Sequence, residues 1–118
     1  SCQLAFDATG NDGARLGLNG STTIQCVALD DALPSFRPTL VKLDIEGAEP
    51  QALEGACSII AKHRPALAVS AYHAPEHLWS LIGQVDSWNL GYRFALRYHG
   101  FQGFDVVLYA WPQGAWRP

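Results

Sequence analysis

The sequence predicts an α/β fold, with a sheet that is parallel in its middle and carries an antiparallel pair of strands at its edge. Three observations carry this reading. Residues 39–45, TLVKLDI, alternate Val41, Leu43 and Ile45 against Lys42 and Asp44, the period of a strand whose two faces differ. Residues 66–72, ALAVSAY, are almost wholly apolar, as in a strand covered on both faces by helices. Between them, residues 48–62 put Ala52, Leu53, Ala56, Ile59 and Ile60 on one helical face, so strand, helix and strand make a right-handed βαβ unit.

The remaining elements follow in chain order. CQLAF and TTIQCVAL flank a segment at 7–21 rich in Gly, Asn and Asp, which reads as an N-terminal hairpin with a floppy tip. DDALPSF at 30–36 reads as a short helical turn ended by Pro34, with Asp30 and Asp31 able to accept from the first free backbone N–H groups. The helix at 48–62 has Pro50 in its first turn, where the missing N–H costs little, and a mild flaw at Gly55; Arg64 and Pro65 end it. A second helix fits 75–90, with Leu78, Leu81, Ile82, Val85 and Trp88 inward and Gly91 as its stop. YRFALRY and DVVLYAW then flank HGFQGF as an antiparallel hairpin. The tail WPQGAWRP reads as an extended surface segment.

Length and composition limit the function classes. At 118 residues and 48% hydrophobic, the chain is the size of one domain, with a hairpin-like segment at 1–31 and the body at 38–111. The net charge is -3, with eight Lys plus Arg and no basic run, which argues against a nucleic-acid partner. Cys2, Cys26 and Cys57 are odd in number and widely spaced, fitting buried thiols in a reducing compartment rather than a disulfide framework. With no signal peptide and no apolar run near the roughly 20 residues that cross a bilayer, the expectation is a cytoplasmic protein without membrane contact.

Candidate chemistry gathers at VKLDIEGAEP, residues 41–50. Asp44, Glu46 and Glu49 surround Gly47 where the strand gives way to a helix. Asp44 and Glu46 lie at the carboxyl end of the strand, the rim where α/β sheets place ligands. Glu49 reads as a first-turn helix charge favoured by the helix dipole, and the bland reading of the block is a capped, acidic strand-to-helix turn. HAPEH, residues 73–77, matches the H-x-x-E-H zinc pattern, but Pro75 prevents His73 and His77 from sharing a helix face. His73 at the end of its own strand can instead meet Asp44 and Glu46 as a carboxylate and histidine trio, suited to general base work or a divalent metal; its bland reading is a satisfied strand-end residue. His63 and His99 read as surface or turn residues. The many aromatics, Trp79 included, read as core or interface; Trp79, next to the rim, has lining an acceptor pocket as its alternative.

The blocks PTLVKLDIEGAEPQALEGA at 38–56, RPALAVSAYH at 64–73, GYRFALRYHG at 91–100 and DVVLYA at 105–110 together resemble the C-terminal half of the FkbM-type methyltransferase family. The resemblance implies a partial Rossmann-like methyltransferase fold and transfer of a methyl group from S-adenosylmethionine to a hydroxyl of a small-molecule acceptor. It implies that Asp44, Ile45 and Gly47 lie against the cofactor. It also implies Asp44 as the base, with Glu46 orienting the acceptor or binding metal; no metal site is assigned. The glycine-rich turn after a first strand and the acid after a second, which hold the cofactor in such folds, have no counterpart here, so the N-terminal cofactor-binding half is expected to be lacking. The chain is thus expected to be a truncated or partial relative with little turnover alone. The alternative is a non-catalytic module that dimerises or binds a small ligand, with a metal-dependent hydrolase a distant third. The strand at 40–45 is left with an open edge, to be covered by the N-terminal hairpin, or by a second copy or a completing partner chain.

Overall fold

Strand-type and helix-type segments alternate through the body of the chain and assemble into one mixed sheet with helices packed on it; the computed structural model describes residues 2–6, 20, 22–101 and 104–114. The N-terminal strands β1 (Cys2–Phe6) and β2 (Thr22–Cys26) pair antiparallel as a separate two-stranded sheet. The predicted floppy tip at 7–21 lies outside the described residues except for Gly20. The main sheet contains β3 (Leu40–Leu43), β4 (Ala66–Ser70), β5 (Tyr92–Tyr98) and β6 (Val106–Pro112) in the order β3-β4-β6-β5. β3 and β4 are parallel, with Val41 opposite Leu67, whereas β6 runs antiparallel to both β4 and β5. The antiparallel pair β5–β6 at one edge is as predicted, but the parallel middle is not: the parallel pair β3–β4 forms the other edge, and the middle pairing, β4–β6, is antiparallel.

The predicted hairpin cover on β3 is not what forms: β1 and β2 make no ladder with it, and among the described residues nothing pairs with its outer edge. Leu40 there is 60% exposed. The thiols also differ from expectation. All three are free, but Cys2 is exposed and Cys26, its cross-strand partner, is only half-buried, as is Cys57.

The single helix predicted at 48–62 is two, α2 (Glu49–Glu54) and α3 (Cys57–His63). The break has a physical cause. A short helix, α1 (Leu29–Ala32), docks against it, and the Asp30 amide donates to the Gly55 carbonyl at 2.9 Å. The Asp30 carboxylate then accepts from the Ser58 and Ile59 amides at 2.8 and 2.9 Å, so it caps α3 rather than its own helix. Partial burial pushes the Asp30 carboxyl up, but the Ile59 and Ser58 amides outweigh it and hold the group below its ordinary value. Asp30→Ala is expected to cost about 1 kcal/mol, the usual worth of such a cap. Because the folded-state value is depressed, this contribution is present above the ordinary carboxylate range and disappears as pH falls through the folded value. Urea titrations of both chains at neutral pH and in acid check it: the two midpoints converge in acid.

Helix α4 (His77–Ser87) starts two residues later than predicted, after a turn at residues 75 and 76. Its Leu81 and Val85 are fully buried with Leu53, Ile60, Leu67, Val69 and Leu108 in the core, while Leu78, predicted inward, is partly exposed. Tyr92 closes the far end of the sheet, donating its hydroxyl to the Pro65 carbonyl at 2.6 Å; burial pushes its phenol up to about 12 against the opposing pull of Arg64. Among the described residues no helix is long and apolar enough to cross a membrane.

Candidate functional site

The parallel pairing of β3 and β4 brings two chain segments to one end of the sheet. Beyond Leu43, the last residue of β3, the chain passes through Asp44 and Ile45 and turns sharply at Glu46 (φ 54°) and Gly47 (φ 100°) into α2. Both turn residues are in the left-handed region, which Gly47 enters without steric cost and Glu46 does not. That reversal lets Glu49, the first residue of α2, reach back so that its Oε1 accepts from the Ile45 amide at 3.0 Å. Beyond β4, Ala71 and Tyr72 lead to His73 beside the same turn.

The three catalytic candidates come together around His73. Its Nε2 lies 3.6 Å from Asp44 Oδ1 and 3.5 Å from Glu46 Oε1, too long for direct hydrogen bonds. Its Nδ1 lies 2.7 Å from Glu49 Oε1, a strong hydrogen bond. The rim carboxylates are open to solvent, whereas the His73 side chain is 6% exposed and that of Glu49 is 0% exposed. His77 Nδ1 approaches the other Glu49 oxygen at 3.6 Å. Three atoms here are buried without a hydrogen-bond partner: Glu49 Oε2, His73 Nε2 and His77 Nδ1. No group of three or more His, Cys, Asp or Glu among the described residues is arranged to hold a metal ion.

Glu49 and His77 are the residues that sequence reasoning missed. Glu49 does stand in the first turn of α2 and near its dipole, as read, but it is fully buried and bonded rather than a solvated charge. His77 is likewise buried at the start of α4. The two histidines of the H-x-x-E-H pattern therefore do face one carboxylate, although it is Glu49 and not Glu76. His99, read as a surface residue, is exposed and faces the Tyr109 hydroxyl at 2.9 Å.

Aromatic groups flank the cluster on one side. The Tyr72 ring lies 4.2 Å from the His73 ring and meets Phe104 edge-on at 6.4 Å. Its hydroxyl points at Asp44 Oδ1 from 3.4 Å. Burial first, then the charge of Asp44, pushes the Tyr72 phenol up, so at neutral pH it remains a donor toward that carboxylate. Trp79 is 64% exposed. On the opposite side, Ile45, Glu46, Gly47 and Ala48 border an open cavity of about 1320 Å³ between the N-terminal hairpin and the β3–α2 face. Leu4, Val27, Leu29, Val41, Leu43 and Leu53 make its walls mostly apolar.

Residues 6–101 match the model of the methyltransferase FkbM domain. A solved structure, the methyltransferase FkbM from Methylobacillus flagellatus KT, is similar to this chain at 38% identity and a TM-score of 0.70. The match covers 75% of this chain and 24% of that protein, so the chain spans about a quarter of the relative's length. No curated protein matches.

Proposed function

Because this chain belongs to the FkbM methyltransferase domain family, we propose that its strand-end cluster is the acceptor side of an O-methyltransferase site, where a substrate hydroxyl gives up its proton. The observation that carries this reading is the convergence of Asp44, Glu46 and His73 at the carboxyl ends of two neighbouring parallel strands. Asp44 and Glu46 are exposed enough for a small-molecule hydroxyl to reach them, and Asp44, flanked by the Tyr72 hydroxyl, is the group that accepts the proton. Glu46 orients the acceptor from the other side of the turn. The oxygen keeps its electron pair and is thereby made nucleophilic.

S-adenosylmethionine, general to the family, supplies the methyl group when bound. The described residues do not fit that cofactor by themselves. It presents an ammonium, a carboxylate, ribose hydroxyls and an adenine. Against these the cavity beside Ile45 and Gly47 offers mainly aliphatic walls, with Glu46 and the glutamines Gln3 and Gln51 as its polar side chains apart from thiols. The contribution of Asp44, Ile45 and Gly47 to the cofactor is thus one edge of a site whose remainder comes from other chain. We place that chain at the edge of β3 that no described strand pairs with, where an apolar wall suits an added strand from a second copy or a completing partner.

The same open edge favours a second reading, in which the chain is a pairing module without turnover. A chimera separates the two. This chain is placed in the Methylobacillus flagellatus methyltransferase in exchange for the segment it matches, and release of S-adenosylhomocysteine is followed with a panel of hydroxylated acceptors. Acceptor-dependent release from the chimera supports the methyltransferase reading. A chimera that binds the cofactor but transfers to no hydroxyl contradicts it and favours the pairing module.

A further inference from the structure

We infer that Glu49 is a positioning residue: it holds the Nδ1 proton of His73 and so turns the bare Nε2 of that ring toward Asp44 and Glu46, where it receives the proton that the rim takes from the acceptor. The inference deepens the acceptor-side reading and rests on it for its role, though not for its test.

The chemistry follows from the hydrogen bonds. A carboxylate only accepts, so the 2.7 Å contact between Glu49 Oε1 and His73 Nδ1 places the shared proton on the ring nitrogen. In the neutral ring the other nitrogen, Nε2, then carries a lone pair. Nε2 is buried, has no partner, and faces the two rim carboxylates from 3.6 and 3.5 Å. Among the described residues, the ring is faced by Asp44 and Glu46 on the Nε2 side, by Glu49 on the Nδ1 side with His77 behind it, and by Tyr72 against the ring face. The Glu49 oxygen is itself fixed by the Ile45 amide, so the ring orientation is tied to the strand-to-helix turn. When an acceptor O–H bond breaks, an O–H bond forms at Asp44; that bond breaks in turn as an N–H bond forms at Nε2, the exposed Asp44 side chain swinging in to close the 3.6 Å gap. The electron pair stays on the acceptor oxygen, and the positive ring is balanced by the carboxylates on both of its sides. A buried polar atom left without a partner is costly; here it is kept as a proton site.

Long-range proton–nitrogen correlation of the imidazole rings in the ¹⁵N-labelled chain tests this directly. The neutral ring of His73 is expected to carry its proton on Nδ1, with Nε2 unprotonated. Glu49→Gln, which keeps an acceptor oxygen, is expected to retain that tautomer, whereas Glu49→Leu is expected to lose the Nδ1–H signal in favour of Nε2–H. Should the leucine variant not fold, the unaltered chain still decides. A neutral His73 protonated on Nε2 overturns the inference, as does a folded leucine variant with an unchanged tautomer. Neither result depends on methyl transfer, so failure of the positioning role is distinct from failure of the chimera.

Discussion

Asp44→Asn in the chimera is expected to lower acceptor-dependent methyl transfer by about 10²–10⁴-fold, the usual contribution of a positioned general base. The amide keeps the shape of the side chain but cannot take the hydroxyl proton. Since Asp44 is exposed and stands past the end of β3, the substitution removes no core packing. Its effect should fall on turnover at saturating cofactor, with thermal stability nearly unchanged. Initial rates at saturating cofactor, paired with melting curves, check both halves. A chimera carrying Asp44→Asn that retains full turnover would assign the proton to another group.

Glu49→Ala is expected to be the most damaging single change for stability near the site. It leaves the Ile45 amide and the His73 Nδ1–H without their acceptor. Each donor stranded in this way costs about 1–3 kcal/mol. For a domain of 118 residues, each kcal/mol lowers Tm by about 4 °C. Glu49→Gln should lose much less, because its carbonyl oxygen still accepts from both. Thermal unfolding of the two variants side by side measures the difference; equal midpoints would show that the buried carboxylate does not hold the turn.

Much of this architecture was legible because period and apolarity act locally. The alternation at 40–45 and the apolar run at 66–72 gave the two parallel strands, and Gly and Pro marked the hairpin and the helix ends. What could not be read locally was the division of the helix at Gly55, since it depends on Asp30 arriving from 28 residues away to cap α3. The acid rim and His73 were found because both lie at strand ends that a βαβ unit must bring together. The burial of Glu49 and His77 went unread for a different reason. Each lies on the apolar stripe of its own helix, Glu49 in line with Leu53 and His77 with Leu81 and Val85, all of which are buried. A charged or titratable residue on such a stripe must find a polar partner in the interior. That was the available signal, and only the fold shows the outcome: Glu49 meets His73 through Oε1, while its Oε2 faces His77 Nδ1 at 3.6 Å without a hydrogen bond.

The central claim, that these residues form the acceptor side of a site whose cofactor cradle lies elsewhere, is tested most directly by calorimetric titration of S-adenosylmethionine into the isolated chain and into the chimera in one buffer, with folding and oligomeric state recorded for each. The account predicts saturable binding to the chimera and none in the micromolar range to a folded monomeric chain. Micromolar binding by the monomer would contradict it, because the described walls would then have to hold a polar cofactor that their side chains do not match.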